Sequence, residues 1–154
     1  MTTTPNTEAS TSPGAESHQP KTSRRRLPAV ARLLMGLLFV VFGLNGFLHF
    51  IPEPKTPMPE GAKAFAGALM QTNYMFAMVS GTQLLVGILL LSNCFVPLAL
   101  ALIAPVIVNI IAFHVFLAPS SLGPGAVVLL LELYLAWSYR GAYRSMLVAR
   151  TKPG

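Results

Sequence analysis

Six polar side chains of kinds that bind ligands or carry protons lie inside the long apolar runs of this sequence. They comprise a carboxylic acid, two imidazoles and three amides: Glu132, His49, His114, Asn45, Gln83 and Asn109. A carboxylate at the centre of a bilayer costs several kcal/mol, and ionisable groups at that depth generally serve substrate, ion or proton pathways. Brought together, the six groups would form a polar pocket able to hydrogen-bond an otherwise apolar molecule.

Metal binding is the weaker interpretation of these residues. Two imidazoles and a carboxylate are sound metal ligands, but no H-x-x-H or E-x-x-H spacing occurs in the chain. The single cysteine, Cys94, excludes an internal disulfide and any CxxC motif. We therefore assign neither a metal site nor a catalytic residue.

Each polar residue also has a structural alternative. Amide side chains in membrane helices often only join the helices, each contributing about 0.6 kcal/mol, and this interpretation is favoured for Asn45, Gln83 and Asn109. For Glu132 and the two histidines a functional role is favoured. Glu132 is expected to be neutral, and either hydrogen-bonded or paired.

The composition is typical of a membrane protein. Hydrophobic residues make up 53% of the 154 residues and charged residues 10%, whereas a soluble domain carries about 25% charge. Most basic residues lie in two clusters, at positions 21–32 and 140–152, which bracket the apolar part. This pattern orients a membrane protein and is unlike the basic face of a nucleic-acid-binding domain, so we expect no nucleic-acid partner.

The elements that must position the polar groups are four membrane spans, predicted at about 29–51, 74–94, 96–117 and 124–140. Each is about 25–35 Å long, which matches a bilayer core. Because basic residues precede the first span and follow the last, both termini are predicted to be cytoplasmic. The predicted fold is an all-α integral membrane four-helix bundle over residues 27–146, with a disordered Ser/Thr/Pro-rich tail at 1–26 and a basic tail at 147–154.

Counting from the outer end of each span places the polar groups at similar depths. Asn45, Gln83, Asn109 and Glu132 come out about 9–14 Å deep, and the two histidines about 3–5 Å deep. All six therefore fall in the outer half of the bilayer, which predicts one shared pocket open to the outer side. His114 lies about 140° around its helix from Asn109, so the two need not face the same interior.

Small residues and one loop segment give further expectations. Gly36 and Gly43 are predicted to let the first span pack closely against another helix or a second copy. Between the first two spans, EGAKAFAGALMQ places Ala62, Phe65 and Leu69 at helical spacing. This pattern predicts a short amphipathic helix on the outer membrane surface or over the end of the bundle.

Five apolar blocks occur in a characteristic order: ARLLMGLLFVVFGLNGFLHFIP, PMPEGAKAFAGALMQTNYMF, VSGTQLLVGILLL, FVPLALALIAPVIVNIIAFHVFL and LLLELYLAW. Through them the chain, from about Leu27 to Met146, resembles the DoxX family of small four-span bacterial membrane proteins. The resemblance implies a four-helix bundle in the bacterial inner (cytoplasmic) membrane. Because the family is named for subunits associated with a quinol oxidase or a thiosulfate:quinone oxidoreductase, it also implies a redox setting.

Three functions are compatible with these observations. The first is a membrane subunit that binds a quinone or similar apolar molecule beside a redox partner, with His49, His114, Asn45 or a neutral Glu132 as hydrogen-bond donors. The second is a non-enzymatic scaffold or assembly factor. The third, a small transporter, would need a dimer, and no internal repeat supports it. The expected partners are the lipid bilayer and either a redox membrane complex or a second copy, and no enzymatic activity is assigned to the chain alone.

Overall fold

The protein was analysed as a computed structural model that describes residues 23–52 and 57–144. This part of the chain is helical and contains no strand, which confirms the all-α prediction. The elements are α1 (Ser23–Leu48), α2 (Glu60–Gln71), α3 (Met75–Leu91), α4 (Val96–Phe116), a 3-10 turn (Pro119–Ser121), α5 (Leu122–Ser138) and α6 (Arg140–Tyr143).

Three segments among the described residues are long and apolar enough to cross a membrane: Arg26–Leu48, Val96–Phe116 and Pro119–Ser138. A fourth span is counted if α2 and α3, bent by 89° at the break between them, are taken together. The 17 residues of α3 alone extend about 26 Å, the short end of the range for a span. Large apolar side chains such as Val108 and Leu130 are exposed on the surface, as lipid-facing residues would be. The chain is thus compatible with a multi-pass membrane protein.

The helix boundaries differ most from the prediction in α1. This helix begins at Ser23 and ends at Leu48, whereas the predicted span ran from 29 to 51. Pro28 lies near its start, where the missing backbone N–H removes one hydrogen bond without ending the helix. Residues 1–22 and 145–154, which hold most of the two predicted tails, lie outside the described residues.

Glycines bring α1 and α3 into backbone contact. A Cβ atom at Gly43 would lie 2.7 Å from the backbone nitrogen of Leu84, and one at Gly87 would lie 2.7 Å from that of Val40. A Cβ at Gly46 would overlap the hydroxyl of Ser80 at 2.0 Å. Only glycine permits such approaches, so the predicted close packing of span one is confirmed, with α3 as the partner.

The opposite end of the α1–α3 pair is held by a cation. The guanidinium of Arg32 on α1 donates a hydrogen bond to the carbonyl of Leu90, in the last turn of α3. Carbonyls in a last helical turn lack backbone donors and carry partial negative charge, so a cation there satisfies and stabilises them. Below this contact a core of fully buried side chains, including Met35, Phe39 and Ile103, joins α1 to α4 and α5.

The predicted short amphipathic helix is present as α2. Its buried residue is Ala62, and the ring of Phe65 lies 5.7 Å from that of Phe113 on α4. The turn into α3 contains Asn73 with a φ of 60°, a left-handed conformation that asparagine tolerates. Helix α2 therefore packs over the end of α4, as expected for a helix that covers the bundle.

We expect the glycine contact between α1 and α3 to be sensitive to one added methyl group. Gly43→Ala should lower stability by about 1–3 kcal/mol, because the methyl meets backbone atoms that cannot move aside. The control is Gly81→Ala on α3, where a Cβ meets nothing within 4 Å, and which should be neutral or stabilising by up to about 1 kcal/mol. Thermal unfolding of both variants in detergent measures the difference, and equal midpoints would contradict the close contact.

Candidate functional site

A cavity of about 850 Å³ lies between α1, α4 and α5. Helix α1 contributes three apolar side chains, and α5 contributes Pro124, Gly125, Val127 and Val128. The segment Pro57–Pro59 before α2 and the connection between α4 and α5 also line it. Its volume is in the range of pockets that hold cofactors or drug-sized ligands.

The cavity wall is mainly apolar and contains few polar side chains. Two of the six predicted residues line it, Gln83 from α3 and His114 from α4, together with Ser120 and Ser121. The Nδ1 atom of His114 lies 3.0 Å from the hydroxyl oxygen of Ser121. Its ring also packs edge-on against Phe113 at 5.4 Å. Hydrogen-bonding groups at a few points of an apolar wall orient a ligand without making the pocket polar.

Asn45 and His49 do not line the cavity, because both belong to the turn that ends α1. The Asn45 side-chain oxygen accepts a hydrogen bond of 2.7 Å from the backbone N–H of Ile51. His49 has a left-handed φ of 51°. Its backbone N–H donates a hydrogen bond of 2.8 Å to the backbone carbonyl of Asn45. This is how helix C-termini are commonly closed, although glycine usually takes the left-handed position. The exposed His49 ring lies 6.3 Å from that of Phe76, nearly parallel to it.

Asn109 also lies away from the cavity. Its side chain is exposed on the outward surface of α4, on the same side as Pro105 and Val108. The sequence predicted that Asn109 and His114 need not face the same interior, and in the structure His114 lines the cavity while Asn109 is exposed.

Glu132 is buried on α5 and does not line the cavity. Its side chain is 7% exposed, one turn beyond the cavity residue Val128. Its Oε2 atom is buried without a hydrogen-bond partner among the described residues, although the sequence predicted a hydrogen-bonded or paired carboxyl. On α6, burial raises the pKa of the Tyr143 hydroxyl. The Tyr143 hydroxyl donates to the Pro97 carbonyl at 2.9 Å.

Two parts of the site were missed by reasoning from the sequence. Ser121 lies seven residues after His114 and returns to contact it. The Pro57–Pro59 segment before α2 forms part of the cavity wall. Both contacts depend on how a loop folds back over helix ends, for which residue periodicity carries no signal.

The wall of the cavity is suited to holding an apolar ligand. Within residues 23–52 and 57–144, no group of three or more His, Cys, Asp and Glu side chains is placed to hold a metal ion. What remains is an apolar chamber with an imidazole, an amide and two hydroxyl groups in its wall.

Comparisons of the chain with protein-family models, with curated proteins and with solved structures find no match.

The helix-ending role of His49 leads to a specific expectation. His49→Gly should stabilise the protein by about 1 kcal/mol, because glycine adopts a positive φ without the steric cost that other residues carry. His49→Ala keeps that cost and should give no gain. The comparison uses thermal unfolding in detergent. If His49 had a ligand-binding role instead, both variants would lose binding together and glycine would bring no stability.

Glu132 gives a second expectation in this region. Glu132→Leu should raise stability by about 1–3 kcal/mol, because it replaces a buried carboxyl whose Oε2 has no hydrogen-bond partner among the described residues with an apolar side chain. Glu132→Gln keeps an unpartnered polar group and should remain close to the original protein. Thermal unfolding midpoints of both variants, compared with that of the original protein in the same detergent, measure these effects. A large loss of stability with leucine would show that the carboxyl has partners after all.

Proposed function

We propose that this chain is a DoxX-like multi-pass membrane protein that binds a quinone or a similar apolar molecule in the cavity between α1, α4 and α5, alongside a redox partner. The observation that carries the proposal is the 850 Å³ apolar-walled cavity with Gln83 and His114 in its wall. The resemblance to a family associated with quinol and quinone enzymes supports the choice of ligand class.

The shape of the wall suits a ring with an apolar substituent. Phe39, Phe42 and Phe113 offer aromatic surface for a flat ring. Gln83 and His114 come from different helices, so a ligand with polar atoms at two positions can contact both. An amide can donate as well as accept, so Gln83 can serve a carbonyl or a hydroxyl group.

The exposure of the wall residues supports entry from the lipid. Phe42 and Val127, which line the cavity, are 50% and 54% exposed. Both belong to helices whose outer surfaces are apolar, so the cavity communicates with the surface that lipid would cover. A membrane-soluble molecule could thus enter without passing through water.

The scaffold function is the second candidate, and one observation favours it. Asn109 presents an amide on an outward surface of α4 that is otherwise apolar, next to Val108, which is 65% exposed. An amide facing lipid lacks partners, and a neighbouring membrane helix could supply them. This surface is separate from the cavity, so the two functions can be tested independently.

The test uses a decyl-substituted benzoquinone and the purified protein in lipid nanodiscs. Gly125→Leu should weaken binding at least about tenfold, because a Cβ at Gly125 already lies 2.9 Å from the His114 ring and the larger side chain would displace that ring into the cavity. Gly123→Leu is the matched control on the same helix, since a Cβ there meets nothing within 4 Å. Equilibrium titration of the three proteins gives the comparison.

Absent binding, or equal binding by both leucine variants, would exclude the cavity as a quinone site. If a protein that copurifies with the chain is then released by Asn109→Leu and retained by Gly125→Leu, the scaffold function is the better account.

A further inference from the structure

The hydrogen bonds around His114 determine which of its ring nitrogens carries the proton. The Ser121 hydroxyl donates to the Ala118 carbonyl at 3.0 Å, and its oxygen lies 3.0 Å from Nδ1 of His114. A serine hydroxyl has one hydrogen. When that hydrogen is directed to Ala118, the bond between Ser121 and His114 requires Nδ1 to be the donor.

The alternative arrangement makes fewer hydrogen bonds. If Ser121 donated to a bare Nδ1, its bond to Ala118 would be lost and the proton of His114 would sit on Nε2. No described residue accepts a hydrogen bond from Nε2. The first arrangement therefore has one more hydrogen bond, which favours it by on the order of fivefold in population.

The surroundings of the ring direct the bare nitrogen toward the cavity. Gly125 lines the cavity, and a Cβ there would lie 2.9 Å from Cδ2 and 3.6 Å from Nε2 of His114. Because His114 and Gly125 both line the cavity, this edge of the ring lies in the cavity wall. Phe113 packs edge-on against the ring and restricts its rotation.

We infer that the cavity selects ligands that present a hydroxyl donor, as a phenol or a quinol does, over ligands that present only carbonyl or ether oxygens. The inference rests on the proposed binding function and adds which hydrogen-bonding group the ligand must present. A hydroxyl hydrogen meets the bare Nε2 of His114, whereas a carbonyl oxygen would face a second lone pair. Gln83 accepts either type and so does not alter the preference.

The test compares para-decylphenol with its methyl ether, which share an apolar tail and differ by the donor hydrogen. Both are titrated against the protein in lipid nanodiscs at the same mildly alkaline pH. The Gly125→Leu protein gives the baseline for partitioning into lipid. We expect the phenol to bind about fivefold more tightly than the ether, because the ether can be bound only after the ring proton moves to Nε2.

Two variants of Ser121 test whether the preference depends on the position of the His114 proton or only on contact between the two side chains. Ser121→Ala frees the ring to place its proton on Nε2, so the affinity ratio of phenol to ether should fall toward one, largely because the ether binds better. Ser121→Thr keeps the hydroxyl and should keep the preference. Ser138→Ala removes a hydroxyl that lies outside the cavity wall and donates to the Tyr134 carbonyl, and should leave the ratio unchanged.

A spectroscopic readout tests the proton position without any ligand. In protein labelled with ¹⁵N histidine, the two neutral forms of the ring give distinct nitrogen shifts, and loss of signals in His114→Gln assigns them. We expect the form protonated on Nδ1 in the original protein and a mixture in Ser121→Ala. A proton on Nε2 in the original protein, or equal affinities for the two compounds, would overturn the inference while leaving the cavity as a binding site. Failure of both compounds to bind would overturn the proposed function as well.

Discussion

The contact between the backbones of α1 and α3 is the constraint on which the rest of the fold depends. Gly43, Gly46 and Gly87 let the two helices approach until side chains would overlap. In a bilayer there is little hydrophobic gain from pairing helices, so close van der Waals contact must supply the attraction. With α1 fixed against α3 on one side, its other side, carrying Phe39, is held opposite α4 and α5, which leaves the cavity between them.

The polar side chains of the apolar helices have separate physical roles, although they lie at similar positions along their helices. The Asn45 side chain accepts a hydrogen bond from the backbone just after α1, and Asn109 faces outward. Glu132 is buried, and its Oε2 atom has no hydrogen-bond partner among the described residues. Only Gln83 and His114 reach the cavity. A polar residue in a membrane helix can therefore be retained for a backbone terminus, an external contact or a ligand, and its depth does not distinguish these roles.

The sequence predicted the helices far better than it predicted the site. Apolar run lengths identified α3, α4 and α5 to within a few residues, and spacing identified α2, because both signals are local. The end of α1 at Leu48 was missed because it depends on the left-handed backbone of His49, which a non-glycine residue rarely adopts. The depth of a residue along its helix could be counted from the sequence. The direction in which its side chain faces depends on how the helices pack against one another. The contact of Ser121 with His114 depends on loop folding and left no signal in the sequence.

Under the proposed function, the exposure of Phe42 and Val127 beside the cavity changes what its affinity for a ligand means. A ligand that arrives through the membrane is already dissolved in hydrocarbon, so moving it into an apolar chamber releases little water and gains little hydrophobic free energy. Its occupancy is then set by its mole fraction in the bilayer and not by its scarce aqueous concentration. Selectivity among abundant apolar molecules then depends on the shape of the chamber and on the few hydrogen-bonding groups in its wall. Such a chamber can be filled at equilibrium while holding its occupant weakly enough to exchange it quickly with the surrounding lipid.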